Sequence, residues 1–73
     1  MNTERYPILY VIRLRCHLDI EQASWFSELS HAETAEGNTL LSGELPDQAA
    51  LIGILFKAHN LNLQILSVEA KVN

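Results

Sequence analysis

The chain has 73 residues, of which 48% are hydrophobic, and its formal net charge is −4 at pH 7. This length predicts one domain over residues 1–73, near the lower size limit for a single core, for which an oligomer interface would be a natural supplement. The acidic balance argues against nucleic-acid binding, no apolar run approaches the length of a membrane span, and residues 1–5 lack the apolar core of a signal peptide, so we expect a soluble cytoplasmic protein.

The first predicted element is a strand within residues 8–18. Its second half alternates apolar and polar side chains, which predicts one buried face and one outward face that carries Arg13, Arg15 and His17. Cys16 falls on the inward face, where we expect the thiol to pack as a small hydrophobe.

A short helix is predicted next, over residues 20–26. Asp19 is a favourable N-cap, and Gln22 three positions later completes a weaker form of the capping box. Because so short a helix is not stable alone, we expect Trp25 and Phe26 to pin it to the sheet.

The middle of the chain predicts a hairpin. Residues 27–36 have the composition of a polar edge strand, whose charges discourage pairing with another sheet. Gly37 and Asn38 predict a two-residue turn into a strand over residues 39–45. Gly43 inside that strand indicates a bulge or a close approach of another backbone segment.

The long helix that runs to His59 has the clearest period of 3.6 residues in the chain. We expect Pro46 at its first position and Asp47 in its first turn, where a carboxylate is favourable. Its core-facing residues should be Leu51, Ile54, Leu55 and Ala58. Asn62 suits the left-handed position that follows a helix.

The last predicted strand covers residues 63–72, with Leu66, Val68, Ala70 and Val72 facing inward. With right-handed crossovers, the order of elements predicts an α+β fold, the ferredoxin-like split β-α-β-β-α-β sandwich. Its first and third strands would lie side by side in the centre, with both helices on one face. The alternative is a three-stranded meander covered by one helix and followed by a strand, if residues 19–26 form only a turn.

Four short motifs are shared with a group of proteins: His17-Leu18-Asp19, Trp25-Phe26, Thr39-Leu40-Leu41-Ser42-Gly43 and Asp47-Gln48-Ala49-Ala50-Leu51. Through them the chain resembles, from residue 11 to residue 68, small uncharacterised bacterial proteins. Members usually continue the last motif with His-Gly, where this chain has Ile52 and Gly53, and often carry glycine at the position of Asn62. The group has no assigned activity, so the resemblance implies no catalytic residues.

The residues themselves predict no catalytic, cofactor or metal site. His17, His31 and His59 lack metal-site spacing and are expected on the surface. Cys16 and His17 are adjacent in a strand, so their side chains point to opposite faces and cannot act together. Asp47 is explained by the helix dipole without any chemistry. These residue types and spacings therefore do not favour an enzyme.

Two surfaces are candidates for binding. On the outward strand face, Arg13, Arg15 and His17 could bind an anionic ligand or the acidic residues of a partner, because arginine suits carboxylates. The alternative is that Glu69 from the neighbouring strand pairs with one of them.

The second candidate surface is a stripe on the long helix, beside its core face. It carries Ile52, Phe56 and His59 together with Gln48, and Lys57 is the one charged residue after the helix start. Apolar residues in such a place indicate either a second helix, for which residues 20–26 are the local candidate, or a subunit contact. We predict a subunit contact.

These features predict a non-enzymatic, self-associating protein-interaction module, which forms a homo-oligomer and could also bind an unidentified protein partner. The alternative is a small-molecule sensor or carrier with a pocket between helix and sheet or on the arginine face, the outward strand face that carries Arg13, Arg15 and His17. A small oligomeric ferredoxin-like enzyme that needs no cofactor is the least favoured of the three functions.

Overall fold

Residues 7–71, the part of the chain that the computed structural model describes, form four strands and two helices. They are β1 (Ile8–Arg15), α1 (Ile20–Ser24), β2 (Ser30–Glu33), β3 (Thr39–Leu45), α2 (Gln48–Asn60) and β4 (Gln64–Lys71). The strands form one antiparallel sheet in the order β2-β3-β1-β4, so that β1 and β3 occupy its centre. The α+β class is confirmed, whereas the meander with one helix is wrong because α1 is formed. The expectations for residues 1–5 and for Val72 lie outside the described range.

The core lies on one side of the sheet, where α2 and the segment after α1 cover β1 and β3. Its most deeply buried side chains are Phe26, Ile12, Leu14, Leu41, Ile54 and Thr39. In α2, Ile54 and Ala58 are buried while Leu51 and Leu55 pack partly buried against the core. The predicted core face of this helix is confirmed.

The end of β1 differs from the prediction. β1 stops at Arg15 because its partner strand β3 begins at Thr39, which lies opposite Leu14. Cys16 then adopts a positive φ of 123°, and its carbonyl oxygen accepts a hydrogen bond of 2.7 Å from Thr39 Oγ1. The strand alternation therefore ends before Cys16, and the expectation that its side chain is buried is wrong, because Cys16 is exposed.

The capping box of α1 is confirmed. Asp19 Oδ1 accepts from the backbone N–H of Gln22 at 2.7 Å, and Gln22 Oε1 accepts from the N–H of Asp19 at 3.1 Å. α1 ends at Ser24, so it is shorter than the predicted span. Phe26 is 1% exposed and anchors the segment, whereas Trp25 is 50% exposed and does not.

The hairpin between β2 and β3 is confirmed as an edge strand followed by a turn, but the turn is longer than two residues. All four residues of β2 are exposed. Thr34 and Asn38 close the turn, because the N–H of Thr34 donates to Asn38 O and the N–H of Asn38 donates to Thr34 Oγ1. Gly37 supplies the positive φ of 88° that this five-residue loop requires.

Gly43 allows a close approach, as predicted. A Cβ at this position would lie 2.8 Å from Leu29 Cδ2 and 3.5 Å from the carbonyl oxygen of Glu28. The segment that enters β2 therefore packs directly on β3 at this glycine.

Both ends of α2 are capped by side chains or backbone geometry. Asp47 is the N-cap, with Oδ1 accepting from the N–H of Ala50 at 2.8 Å, and Pro46 precedes it. The prediction that Pro46 and Asp47 lie in the first turn is therefore wrong, because the helix begins at Gln48. At the other end Asn62 has the predicted left-handed conformation, with φ of 61°. The N–H of Leu63 donates to Ala58 O, which completes the cap.

β4 is an edge strand whose side chains are all exposed. Val68 lies opposite Ile12 and therefore on the core side of the sheet, but it remains 40% exposed. A register shift leaves Leu66 without a partner, so that Ile65 rather than Leu66 lies opposite Leu14. The predicted burial of β4 is wrong, because all of its residues are exposed although α2 contacts the strand.

Candidate interaction surfaces

The most exposed apolar side chains of α2 lie on the side away from the sheet. At 100° per residue, Ile52 lies about 160° and Phe56 about 200° around the helix from the buried Ile54. Ile52 is 55% and Phe56 is 64% exposed. The ring of the exposed His59 lies 6.5 Å from the Phe56 ring, centroid to centroid. The predicted contact residues thus share one face, which lies nearly opposite the core face rather than beside it.

This outward face of α2, defined by Ile52, Phe56 and His59, carries no carboxylate. The one Lys or Arg residue of the helix, Lys57, is turned to a flank, where its Nζ donates to Trp25 O at 3.1 Å and lies 3.4 Å from Glu28 Oε2. The outward face is therefore apolar apart from histidine and amide groups.

The chain's own short helix does not cover the outward face. Trp25, at the end of α1, contacts the Lys57 flank through its carbonyl oxygen, and Phe26 is turned into the core. The alternative, that residues 20–26 provide a local cover, is therefore wrong. In β4, Ile65, Leu66 and Val68 add further exposed apolar area, each 36–41% exposed.

A cavity of about 410 Å³ lies along the Lys57 flank of α2. Leu45, Pro46, Ala50 and Ile54 supply apolar lining, and Glu28, Glu44, Gly53 and Lys57 complete the lining. Outside the nearby helix backbone and the two adjacent residues, a Cβ at Gly53 would meet no atom within 4 Å, so the helix has an open notch there. This notch was not predicted from the sequence, where its signal was a glycine in mid-helix between Ile52 and Phe56.

The arginine face is only partly assembled as predicted. Arg13 and Arg15 lie on the outward side of the sheet, and Arg15 Nη1 donates to Gln64 Oε1 at 3.4 Å. His17 lies beyond the end of β1, with its Nδ1 3.7 Å from Glu33 Oε2. A binding role for Arg13, Arg15 and His17 stays a prediction.

Glu69 does not pair with these arginines. It lies opposite Val11 in the sheet, and its Oε1 is 3.2 Å from Lys71 Nζ. The alternative explanation for the arginine face, a cross-strand pair with Glu69, is therefore wrong, because Lys71 on the same side of β4 is the nearer cation.

Glu36 lies in the turn beside the arginine face, and its pKa is lowered. The largest cause is a hydrogen bond from its own backbone N–H, followed by one from the Thr34 hydroxyl and by the positive charge of Arg13. Because the pKa of Glu36 is lowered in the folded state, its ionised carboxylate stabilises the fold. This stabilisation is present above the usual pKa of 4.5 and is lost as the pH falls through the lowered pKa.

We expect Thr34→Val to raise the pKa of Glu36 part of the way back, since the hydroxyl donor is removed while the backbone donor stays. Arg13→Gln should raise it less, because the charge of Arg13 is the smallest of the causes that lower it. NMR titration of the Glu36 carboxyl carbon in the three proteins measures this order. A larger rise in Arg13→Gln would show that charge rather than hydrogen bonding lowers the pKa.

Within residues 7–71 no group of three or more His, Cys, Asp or Glu side chains is placed to hold a metal ion. His17, His31 and His59 are exposed, as predicted. Neither helix of this range is long and apolar enough to cross a membrane.

Comparisons with curated proteins and with solved structures found no match. The family model of a domain of unknown function, DUF8691, matches residues 9–69. The match extends from β1 to β4 and includes both helices, and so covers the outward face of α2, the cavity and the arginine face. The chain therefore belongs to the DUF8691 family.

Proposed function

We propose that the protein is a non-enzymatic, self-associating interaction module, in which the outward face of α2 binds a second copy of the chain. The observation that carries the proposal is the exposure of Ile52 and Phe56, at 55% and 64%, on a helix whose opposite face is already buried in the core. A helix that is apolar on all sides is normally covered on all sides. A small domain also gains from an interface, because its own core is limited.

The distribution of charge favours a second copy as the partner. The chain carries a net charge of −4, so two copies repel each other over most of their surface. In a two-fold interface the same patch of both copies meets, which places like groups near one another. The outward face of α2 brings no carboxylates together, and two copies can pack there without this repulsion.

Replacing Ile52 with glutamate should dissociate the assembly and leave the fold intact. The new charge lies on an exposed position of α2, so it is tolerated by the monomer but is costly in an apolar interface. Light scattering should give a dimer or larger assembly for the natural protein at high micromolar concentration and a monomer for Ile52→Glu. The far-UV circular dichroism of the two proteins should be the same.

The matched control is Ile20→Glu, since Ile20 is 92% exposed on α1, away from the outward face of α2. This variant should keep the mass of the natural protein. A natural protein that is monomeric at high micromolar concentration, or an Ile52→Glu variant that keeps the native mass, would contradict self-association through α2.

A second candidate function is the binding of a small molecule, and the cavity of about 410 Å³ beside α2 favours it. This volume lies in the range of about 300–1,000 Å³ typical of ligand sites. A ligand that binds only the folded protein raises the melting temperature. A metabolite screen with the natural protein, in which no compound raises the melting temperature, would exclude this candidate.

We also propose that the sheet belongs to the ferredoxin-like split β-α-β type, that the protein is bacterial, and that it works in the cytoplasm. The strand order β2-β3-β1-β4 supports the fold type. The motifs around Trp25-Phe26 and Asp47 support a bacterial origin. The single cysteine, which cannot form an internal disulfide, supports a reducing compartment.

A further inference from the structure

We infer that the cavity beside Gly53 receives the Phe56 side chain of a second copy, so that two α2 helices pack antiparallel across a two-fold axis. The inference rests on the proposed self-association and specifies the contact through which it occurs.

The protruding side chain and the notch are neighbours on the same helix. Phe56 is 64% exposed, and Gly53 lies one turn earlier and about 60° around the helix. Apart from the nearby backbone of α2 and the residues next to Gly53, no atom lies within 4 Å of the position that a Cβ of Gly53 would take, and Gly53 lines the cavity of about 410 Å³. A phenyl ring that entered beside Gly53 would therefore meet open space and an apolar floor.

A two-fold axis makes the contact reciprocal. If the axis crosses the outer side of α2 at the height between Ile54 and Leu55, an antiparallel pair of α2 helices places Phe56 of each copy at the same height as Gly53 of the other. Ala49 lies one turn before Gly53 on the same side, so the small side chains allow the helix axes to approach to the ~8–10 Å of packed helices.

The lining of the cavity also suits an aromatic ring. Leu45 and Ile54 supply apolar surface, and Lys57, whose Nζ is held by Trp25 O and Glu28 Oε2, lines the same space. A cation near the face of a phenyl ring is attracted by it. The two carboxylates of the lining, Glu28, which is held 3.4 Å from Lys57, and Glu44, would repel an acidic side chain entering from a partner. The cavity therefore favours an uncharged aromatic group such as Phe56.

Two single variants and their mixture test the inference. Gly53→Leu keeps the protruding ring but fills the notch, and Phe56→Ala keeps the notch but lacks the ring. We expect each variant alone to dimerise at least tenfold more weakly than the natural protein in sedimentation equilibrium. In an equimolar mixture, the Phe56 ring of the Gly53→Leu chain can enter the open notch of the Phe56→Ala chain. At the second contact of this mixed dimer, the introduced leucine faces the introduced alanine. The mixture should therefore regain a dimer.

Fluorescence provides a second readout. Trp25 is the only tryptophan, it is half-exposed, and its carbonyl oxygen accepts a hydrogen bond from Lys57 at the cavity. Its emission should change on dilution of the natural protein and on mixing of the two variants, but not on dilution of either variant alone at the same concentrations. Thermal melts of each variant alone check that it is folded.

The outcomes separate this inference from the proposed function. If the natural protein dimerises but Gly53→Leu keeps its dissociation constant, or the mixture stays monomeric, the ring-and-notch contact is wrong while self-association stands. If the natural protein is a monomer at high micromolar concentration, both are wrong. If Phe56→Ala dimerises normally and a small aromatic compound such as phenol saturates the natural protein but not Gly53→Leu, the cavity binds a small molecule instead.

Discussion

Phe26→Ala should remove most of the stability of the folded domain at 25 °C. Phe26 is 1% exposed and fills the core between α2 and the sheet, so its removal costs the transfer energy of the ring and leaves a cavity. Truncation of a buried phenylalanine costs ~3–5 kcal/mol. A core of this size rarely supplies more than ~3–5 kcal/mol in total. Urea unfolding followed by circular dichroism measures the loss.

The neighbouring aromatic residue is the matched control. Trp25 is larger than Phe26 but 50% exposed, and its one polar contact to α2 is made by the backbone, which the substitution retains. Trp25→Ala should therefore cost less than half as much as Phe26→Ala. Equal losses in the two variants would show that both rings contribute to the core, contrary to the structure.

Gly43→Val should lower the free energy of unfolding by ~1–3 kcal/mol, the usual cost of overpacking a core. Even a single Cβ at this position lies 2.8 Å from the Leu29 side chain, and the two methyl groups of valine extend further towards the backbone of Glu28 and Leu29. Leu29 is buried, so it has little room to move. The variant should melt at a lower temperature although valine favours strands.

Gly53→Ala is the control for this prediction, because it changes a glycine that has open space around it. Alanine in mid-helix should raise the stability by ~0.5–1 kcal/mol relative to glycine. Both variants are compared with the natural protein by thermal unfolding at a concentration where the natural protein is monomeric. A Gly43→Val protein as stable as the natural one would contradict the close packing of residues 28–29 on β3.

The features predicted correctly from the sequence are those whose contacts lie within a few residues. The Asp19–Gln22 capping box and the left-handed Asn62 depend on neighbours three or four positions away, and local residue types determine them. The periodicity of α2 likewise identified Ile54 and Ala58 as core. Local patterns therefore predicted the elements and most of their faces.

The errors arise where a distant part of the chain decides the outcome. Cys16 is exposed because β3 begins at Thr39, and no residue near Cys16 indicates where its partner strand begins. Alternation placed Val68 on the correct side of β4, but it could not show how little of this edge strand is covered. The extra residue Leu66 similarly depends on the register with β1.

In the candidate surface, too, the features set by neighbouring residues were predicted and those set by distant residues were not. The pattern of α2 predicted that Ile52, Phe56 and His59 share a face, and the structure places them together and exposed. The notch at Gly53 was missed because a glycine in a helix is informative only when its surroundings are known, and those come from residues 28 and 44–46. The period of a helix identifies which residues share a face, but it does not show where a side chain protrudes or where a notch lies.

The central position of β1 has a consequence for synthesis on the ribosome. β1 is made before the other strands of the described range, and Leu9 pairs with Glu44 of β3 and with Lys71 of β4. β1 therefore finds its partner on one side only after residue 45 has been made, and its partner on the other side only after residue 71. Pairings between such distant residues slow folding. We expect the domain to fold only after its synthesis, with β1 as the segment that chaperones and proteases reach first on the nascent chain.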